Sequence, residues 1–532
     1  MQKTARSIVE IQPDLHCTAD IEVFLEVLGY TKKMANENGF QDLHDLAGYL
    51  YEFIDYYADA GKSRLSFESV LLSPPTSVAR RVAEGLSLAV PWIGSLSVLF
   101  VFGVSMWLAW GLPISVITLL IVGVFTGLIV SEGPLQVFNR LFSFYYNQAN
   151  VPEVRRTLKR SYLVLAAVLA ATDGLLYLFG TLAGIPAGLI AFAAVGATTI
   201  SFHRVSYVII YALKEIRLLL VSYLLAFVTL LTVYFLLPGL IPAAPTRYID
   251  ALVSAVAVIS IAPVYETYKV FSRSAITPLG SARVSSASPL IVNQRTIGSR
   301  FGIQLWETAP FYVFGTFSLV MLFGDRLLSW LFNPVHVANG IALPLVFNSV
   351  YEIGADVALM VLFPVTIVQY VLMTPIFEQV SNLAVTKKVT EVRSVDGFLR
   401  GSYGRLLTVS LCCAAPIAAL LIVLAPEIVS RIGGSDLTVE ILRVAAVANL
   451  LMVVFATNGV FMIFLNKVRS LAIISVTGAW LVIVGGSLLA QSGFQEIIFA
   501  YLVAAATVAT LSSLHVRKDL EHAASLFFSK YV

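Results

Sequence analysis

From Leu86 to Val516 the chain is almost continuously apolar, and one long polar stretch divides it. That stretch runs from Phe271 to Phe301 and carries Arg273, Arg283, Arg295 and Arg300, spaced by Ser, Gly and Pro. Six apolar runs precede it and six follow. Crossing about 30 Å of hydrocarbon takes roughly 20 apolar residues, and these runs have that length. Hydrocarbon offers the backbone no water to bond, so such segments must be helices or a closed barrel. The two-residue alternation of a barrel is absent, which leaves helices.

The expected spans are Leu86–Trp110, Pro113–Tyr146, Ser161–Gly180, Ile185–Tyr211, Leu218–Leu237 and Ile249–Phe271 in the first half. In the second half they are Phe301–Phe323, Leu343–Val380, Leu406–Leu424, Ile441–Leu465, Leu471–Ala490 and Ile497–His515. The second span of each half is too long for the bilayer and must tilt, break or project from it. Each holds a late proline, Pro134 or Pro375.

The connections alternate in charge. One set holds 21 Lys and Arg residues, among them Arg155, Arg156, Lys387, Lys388, Arg517 and Lys518. The other set holds four: Arg247, Arg326, Arg431 and Arg443. Basic loops stay on the cytoplasmic side, so both termini and the central linker are expected there. Residues 1–80 show no apolar run with a small-residue cleavage site, so insertion is expected through the first span itself.

Charged residues make up only 13% of the sequence and mean hydropathy is +0.84, against about 25% charged residues in soluble domains. A net charge of +3 is too small to argue for nucleic acid, and no nucleic-acid partner is expected. Cys17 and the adjacent Cys412 and Cys413 form neither a disulfide framework nor a zinc pattern. No phosphate-binding Gly-rich loop, metal-spaced His/Glu set or nucleophile motif is present, so neither cofactor nor enzymatic activity is expected.

The expected organisation is an all-α polytopic membrane protein. An N-terminal cytosolic helical domain (1–82) precedes a first six-helix bundle (83–271), a cytoplasmic linker (272–300), a second six-helix bundle (301–516) and a short cytosolic tail (517–532). Two stretches in the first segment, one from Asp20 and one from Leu43, place apolar residues at helical spacing. They can form a small domain or lie on a surface.

The stretch Ser131-Glu-Gly-Pro-Leu-Gln-Val-Phe-Asn-Arg-Leu-Phe-Ser-Phe-Tyr-Tyr146 resembles the second span of the PelG-type exopolysaccharide transporters. Those belong to the multidrug/oligosaccharidyl-lipid/polysaccharide (MOP) flippase superfamily. Pro91-Trp92, Tyr207 to Tyr223 with Lys214-Glu215, Tyr312-Val-Phe-Gly-Thr and Gly324-Asp-Arg-Leu-Leu-Ser-Trp330 add to the likeness, as do Leu424-Ala-Pro and Leu520 to Phe528. The resemblance implies two six-helix bundles around a cavity that opens alternately to each side of a bacterial inner membrane. It also implies a saccharide polymer or lipid-linked saccharide as cargo. A cytosolic glycosyltransferase and other inner-membrane secretion components would be its partners.

Ionisable groups in hydrocarbon cost about 2.5–3.5 kcal/mol each and need a reason. Asp173 falls about 18 Å into the third span, as a cavity-facing carboxylate or as the partner of a neighbouring polar group. Glu352 and Asp356, at i and i+4, project from one face and can share a proton, or else face outer water. Glu132 and Arg140, eight residues apart, are gating candidates or interfacial. Arg204, beside His203, and Glu266 suit interfacial snorkelling. Glu307 lies early in its span and stays open. Tyr145, Tyr146, Trp306 and Trp330 are expected in an interfacial belt rather than along a sugar path. A drug or metabolite antiporter of the same fold is the competing function.

Overall fold

A computed structural model describes residues 18–27, 30–37, 39–60, 78–109, 111–147, 150–213, 215–236, 244–272, 301–386 and 392–523. The central linker with Arg273, Arg283 and Arg295, and the end of the tail, lie outside the described residues.

The chain divides into an N-terminal unit ending at Val78 and a membrane unit beginning at Ala79. The first holds α1 (Thr18–Val27), α2 (Lys32–Glu37) and α3 (Leu43–Ala60). Ile21 and Leu25 of α1 meet Leu46, Ala47 and Leu50 of α3, the i/i+4 spacing that both stretches display in sequence.

In the membrane unit the first half comprises α4 (Val78–Phe102), α5 (Ile114–Asn147), α6 (Val151–Leu182), α7 (Ala187–Ala212), α8 (Ile216–Leu236) and α9 (Ala244–Ser272). The second half begins with α10 (Phe301–Leu331) and a hairpin of β1 (Val337–Ala338) and β2 (Ile341–Ala342). It continues through α11 (Ser349–Ala358), α12 (Phe363–Thr386), α13 (Val392–Ile432), α14 (Asp436–Phe464), α15 (Val468–Trp480), α16 (Gly486–Leu489) and α17 (Ile497–Asp519). Among the described residues twelve helical segments are long and apolar enough to span a membrane, with α11–α12 and α15–α16 each forming one. The protein is a multi-pass membrane protein.

Several boundaries differ from the sequence reading. The first span ends at Phe102, and residues 103–109 fold back, so that Trp107 stacks on Trp92 at 5.5 Å. The longest helices are α5, with 34 residues, and α13, with 41. The eighth span is two helices joined by a 3-10 turn at Leu359–Leu362. Pro364 accounts for the break: it lacks an N–H and its ring would clash with the carbonyl four residues back, so it sits in the first turn of α12. The seventh span runs on to Leu331, which draws Asp325 and Arg326 out of the expected loop and into a helix.

Each half has its own core. One apolar cluster is drawn wholly from Met321 to Ala523, and two others from Leu88 to Val270. Within the first half α5 and α7 approach closely, because Gly127 faces the Ala197 carbonyl and Gly196 the Leu120 carbonyl. Small residues permit such contact where lipid gives no hydrophobic drive to associate. The halves meet along α5 and α10. Phe125 stacks on Phe323 at 4.9 Å and on Trp330 at 5.5 Å, and the Gln304 amide donates to Tyr145 Oη at 2.7 Å. A second seam joins α4 to α12, where Tyr370 Oη donates to Glu84 at 2.9 Å.

Candidate functional site

The densest buried charge lies in the second half, where α10 meets α11. Asp325 and Arg326 are 0% and 1% exposed, and Glu352 is 4% exposed. The Arg326 guanidinium is the hub. Nη1 donates to Asp325 Oδ1 at 3.2 Å and to the Leu322 carbonyl at 2.7 Å. Nε donates to Asp356 Oδ1 at 3.3 Å and stands 3.6 Å from Glu352 Oε1. Tyr351 Oη donates to Asp325 Oδ2 at 2.9 Å, and Trp330 Nε1 donates to Glu352 Oε2 at 3.2 Å. The i, i+4 spacing of Glu352 and Asp356 turns both carboxylates toward α10.

Three carboxyl groups thus face one guanidinium. At 3.3 Å an ion pair gains about 5 kcal/mol at an effective dielectric near 20, against about 1 kcal/mol in bulk water. One cation neutralises one carboxylate, so the remaining charge has to be met by protons, a cation or water. Asp356 is the least buried of the three, with 47% of its side chain exposed, while Asp325 and Glu352 are sealed. A buried group exchanging charge through one open neighbour can link occupancy to helix position.

The first half holds a smaller centre. Glu132 of α5, 6% exposed, pairs with Arg204 of α7 and accepts a bond from Gln136 Nε2 at 2.7 Å. His203 is buried between Trp107 and Tyr223, both edge-on at ring distances of 5.2 and 5.1 Å. Arg204 and His203 are therefore interior groups. Snorkelling does not describe them, because the carboxylate that attracts Arg204 lies inside the bundle.

The other candidates scatter. Asp173 is half-buried on α6 and accepts from Thr198 Oγ1 at 2.9 Å. Arg140 lies over the Phe311 ring at 5.6 Å, apart from Glu132's partners. Glu266 pairs with Lys269 at 2.6 Å. Glu307 is exposed. Trp330 is fully buried and belongs to no interfacial belt, whereas Trp306 is 69% exposed beneath Arg469. Sequence reasoning passed over Asp325, Arg326, Trp330 and Tyr351 as site residues. The available signal was the four-residue step from Arg326 to Trp330, which continues one face of a helix beyond Phe323.

No protein-family model and no curated protein matches the sequence. Solved structures do. A crystallised MATE point mutant superposes with a TM-score of 0.57 at 12% identity, over 83% of this chain and 97% of that one. The chain has the MATE fold. A structure described as the inward-facing conformation of a multidrug resistance MATE family transporter of the MOP superfamily gives 0.51 at 13% identity, over 86% and 97%. The MATE transporter ClbM in complex with Rb+ gives 0.50 at 12% identity, over 82% and 93%. The Arg326 cluster sits in the second half of this fold, and the Glu132–Arg204 pair in the first.

Proposed function

We propose that this protein is an alternating-access transporter of a bacterial inner membrane, with both termini cytoplasmic. In this reading it exports a saccharide polymer or its lipid-linked precursor. The fold supports transport by two halves moving against each other. One observation carries the mechanism: Arg326 holds carboxylates from both α10 and α11 at the broken eighth span. Adding or removing a proton or cation through Asp356 changes how firmly those helices are tied, and so favours one arrangement of the halves over another.

The resemblance over Ser131–Tyr146 and later stretches supports the saccharide reading and a PelG-like role beside a cytosolic glycosyltransferase. The fold shared with a multidrug resistance MATE family transporter supports the second reading, a cation-coupled drug or metabolite antiporter.

Purified protein in liposomes separates the two. Exposure of a fluorescent lipid-linked oligosaccharide on the opposite leaflet, without extrusion of a cationic dye under a pH gradient, supports the first. Dye extrusion without saccharide transfer supports the second.

A further inference from the structure

The connection between α10 and α11 contains an Asn-Gly turn. Asn339 and Gly340 both have positive φ, 53° and 78°, and Ala338 pairs with Ile341 across them. That is the two-residue hairpin turn whose mirror-image geometry suits Asn followed by Gly.

The turn carries Asn339 to the start of α5 in the other half of the protein. Helix α5 begins directly after Pro113, whose side chain has no acceptor with which to cap it. The first N–H groups of a helix need partners from outside it. Here Asn339 Oδ1 accepts from the Ser115 N–H at 3.1 Å and from Ser115 Oγ at 3.2 Å. The helix is thus capped by a residue 224 positions away.

One turn further along α5, Thr118 Oγ1 accepts from the Phe347 N–H at 3.0 Å. Ala338, Leu343 and Val346 bury against Leu119, Ile185 and Ile190 around these bonds. The contact contains two cross-half hydrogen-bonded positions, a small apolar patch and no ion pair among the described residues. Water can replace each of these hydrogen bonds, so the contact is suited to reversible opening.

We propose that this hairpin is the gate on the face where α4 joins α5, with Asn339 as its latch. The cap across the halves holds that face shut. Opening withdraws Asn339 and leaves Ser115 to water. This rests on the alternating-access reading above and assigns the moving part on one side.

The test uses spin labels on the full chain in lipid, with Cys17, Cys412 and Cys413 replaced by Ser. Labels go at Leu182→Cys and Val337→Cys, which are 74% and 58% exposed. Distances are measured by pulsed electron resonance. Asn339→Ala should raise the long-distance share about five-fold, as loss of one helix cap implies. Asn339→Asp keeps an acceptor oxygen and should stay within about two-fold of the native distribution. A Ser115→Cys/Asn339→Cys disulfide should remove the long population until it is reduced, which provides a second arm if the alanine variant does not fold. Identical distributions for Asn339 and Asn339→Ala would overturn the proposal, as would a long population that survives the disulfide. These labels report on the gate without reference to cargo. A hairpin that opens in a protein moving no saccharide would refute the cargo and keep the gate. Transport with the hairpin locked shut would refute the gate and keep the cargo.

Discussion

Trp330 Nε1 donates to Glu352 Oε2 across the α10–α11 contact at 3.2 Å, and the same ring stacks on Phe125 in the other half at 5.5 Å. One side chain thus links the buried charge cluster to the seam between the halves. A change in the charge on Glu352 has a short mechanical route to that seam.

Removing Arg326 leaves carboxyl groups buried without their cation. Arg326→Met should cost about 3–5 kcal/mol of stability. Adding Asp325→Asn and Glu352→Gln should recover much of that loss, because the stranded charges go with it. Denaturant unfolding in detergent would show the recovery. A triple variant no more stable than Arg326→Met would contradict the charge-balance argument.

Glu132 and Arg204 form the corresponding cross-helix pair in the first half. Each single change, Glu132→Gln or Arg204→Gln, should destabilise more than the double change per residue replaced. A double-mutant cycle should return a coupling of about 1–3 kcal/mol. Additive losses would mean that the pair contributes no more than two independent surface groups.

Gly127 and Gly174 offer a contrast within one membrane domain. A Cβ at Gly127 would meet the Ala197 carbonyl of α7, so Gly127→Ala should cost about 1–3 kcal/mol. A Cβ at Gly174 meets nothing within 4 Å, so Gly174→Ala should be neutral or stabilise by up to about 1 kcal/mol through backbone entropy. Melting curves of the two variants test the pairing of α5 with α7.

In the N-terminal unit His44 Nδ1 lies 2.7 Å from Glu22 Oε2. The hydrogen bond to Glu22, reinforced by its charge, raises the His44 pKa above the usual histidine value. The folded unit therefore gains stability below the unfolded histidine pKa and loses it as pH rises through the folded one. Histidine-labelled full-length protein should show a resonance titrating above pH 6.5 that disappears in His44→Gln. Glu22→Gln should move its midpoint down.

Much of this architecture was legible in the sequence. The twelve runs are written in composition, because lipid demands apolar side chains wherever a helix crosses it. Ends were less legible, for identifiable reasons. Trp107 reads as the continuation of an apolar run, yet Gly103 at φ 72° turns the chain back before it. Asp325 and Arg326 read as a loop because charge marks helix ends in a window of hydropathy. In three dimensions they satisfy each other and stay inside.

The pair Glu352 and Asp356 could be picked out by spacing alone, since i and i+4 share a face. That Arg326 is their partner could not, because it comes from a different helix. Asn339-Gly340 is a hairpin signal in the sequence that the reading of the spans passed over. Its bond to Ser115 joins opposite halves of the chain, which no local pattern encodes.

The most direct test of the central claim is saccharide transfer by purified protein in liposomes, comparing the native chain with Glu352→Gln/Asp356→Asn at equal incorporation. The native protein should transfer the lipid-linked saccharide and respond to an imposed pH or cation gradient. The double variant should fold and insert yet lose at least about ten-fold in rate together with that gradient response. Undiminished, gradient-sensitive transfer by the double variant would contradict the role given to the Arg326 cluster.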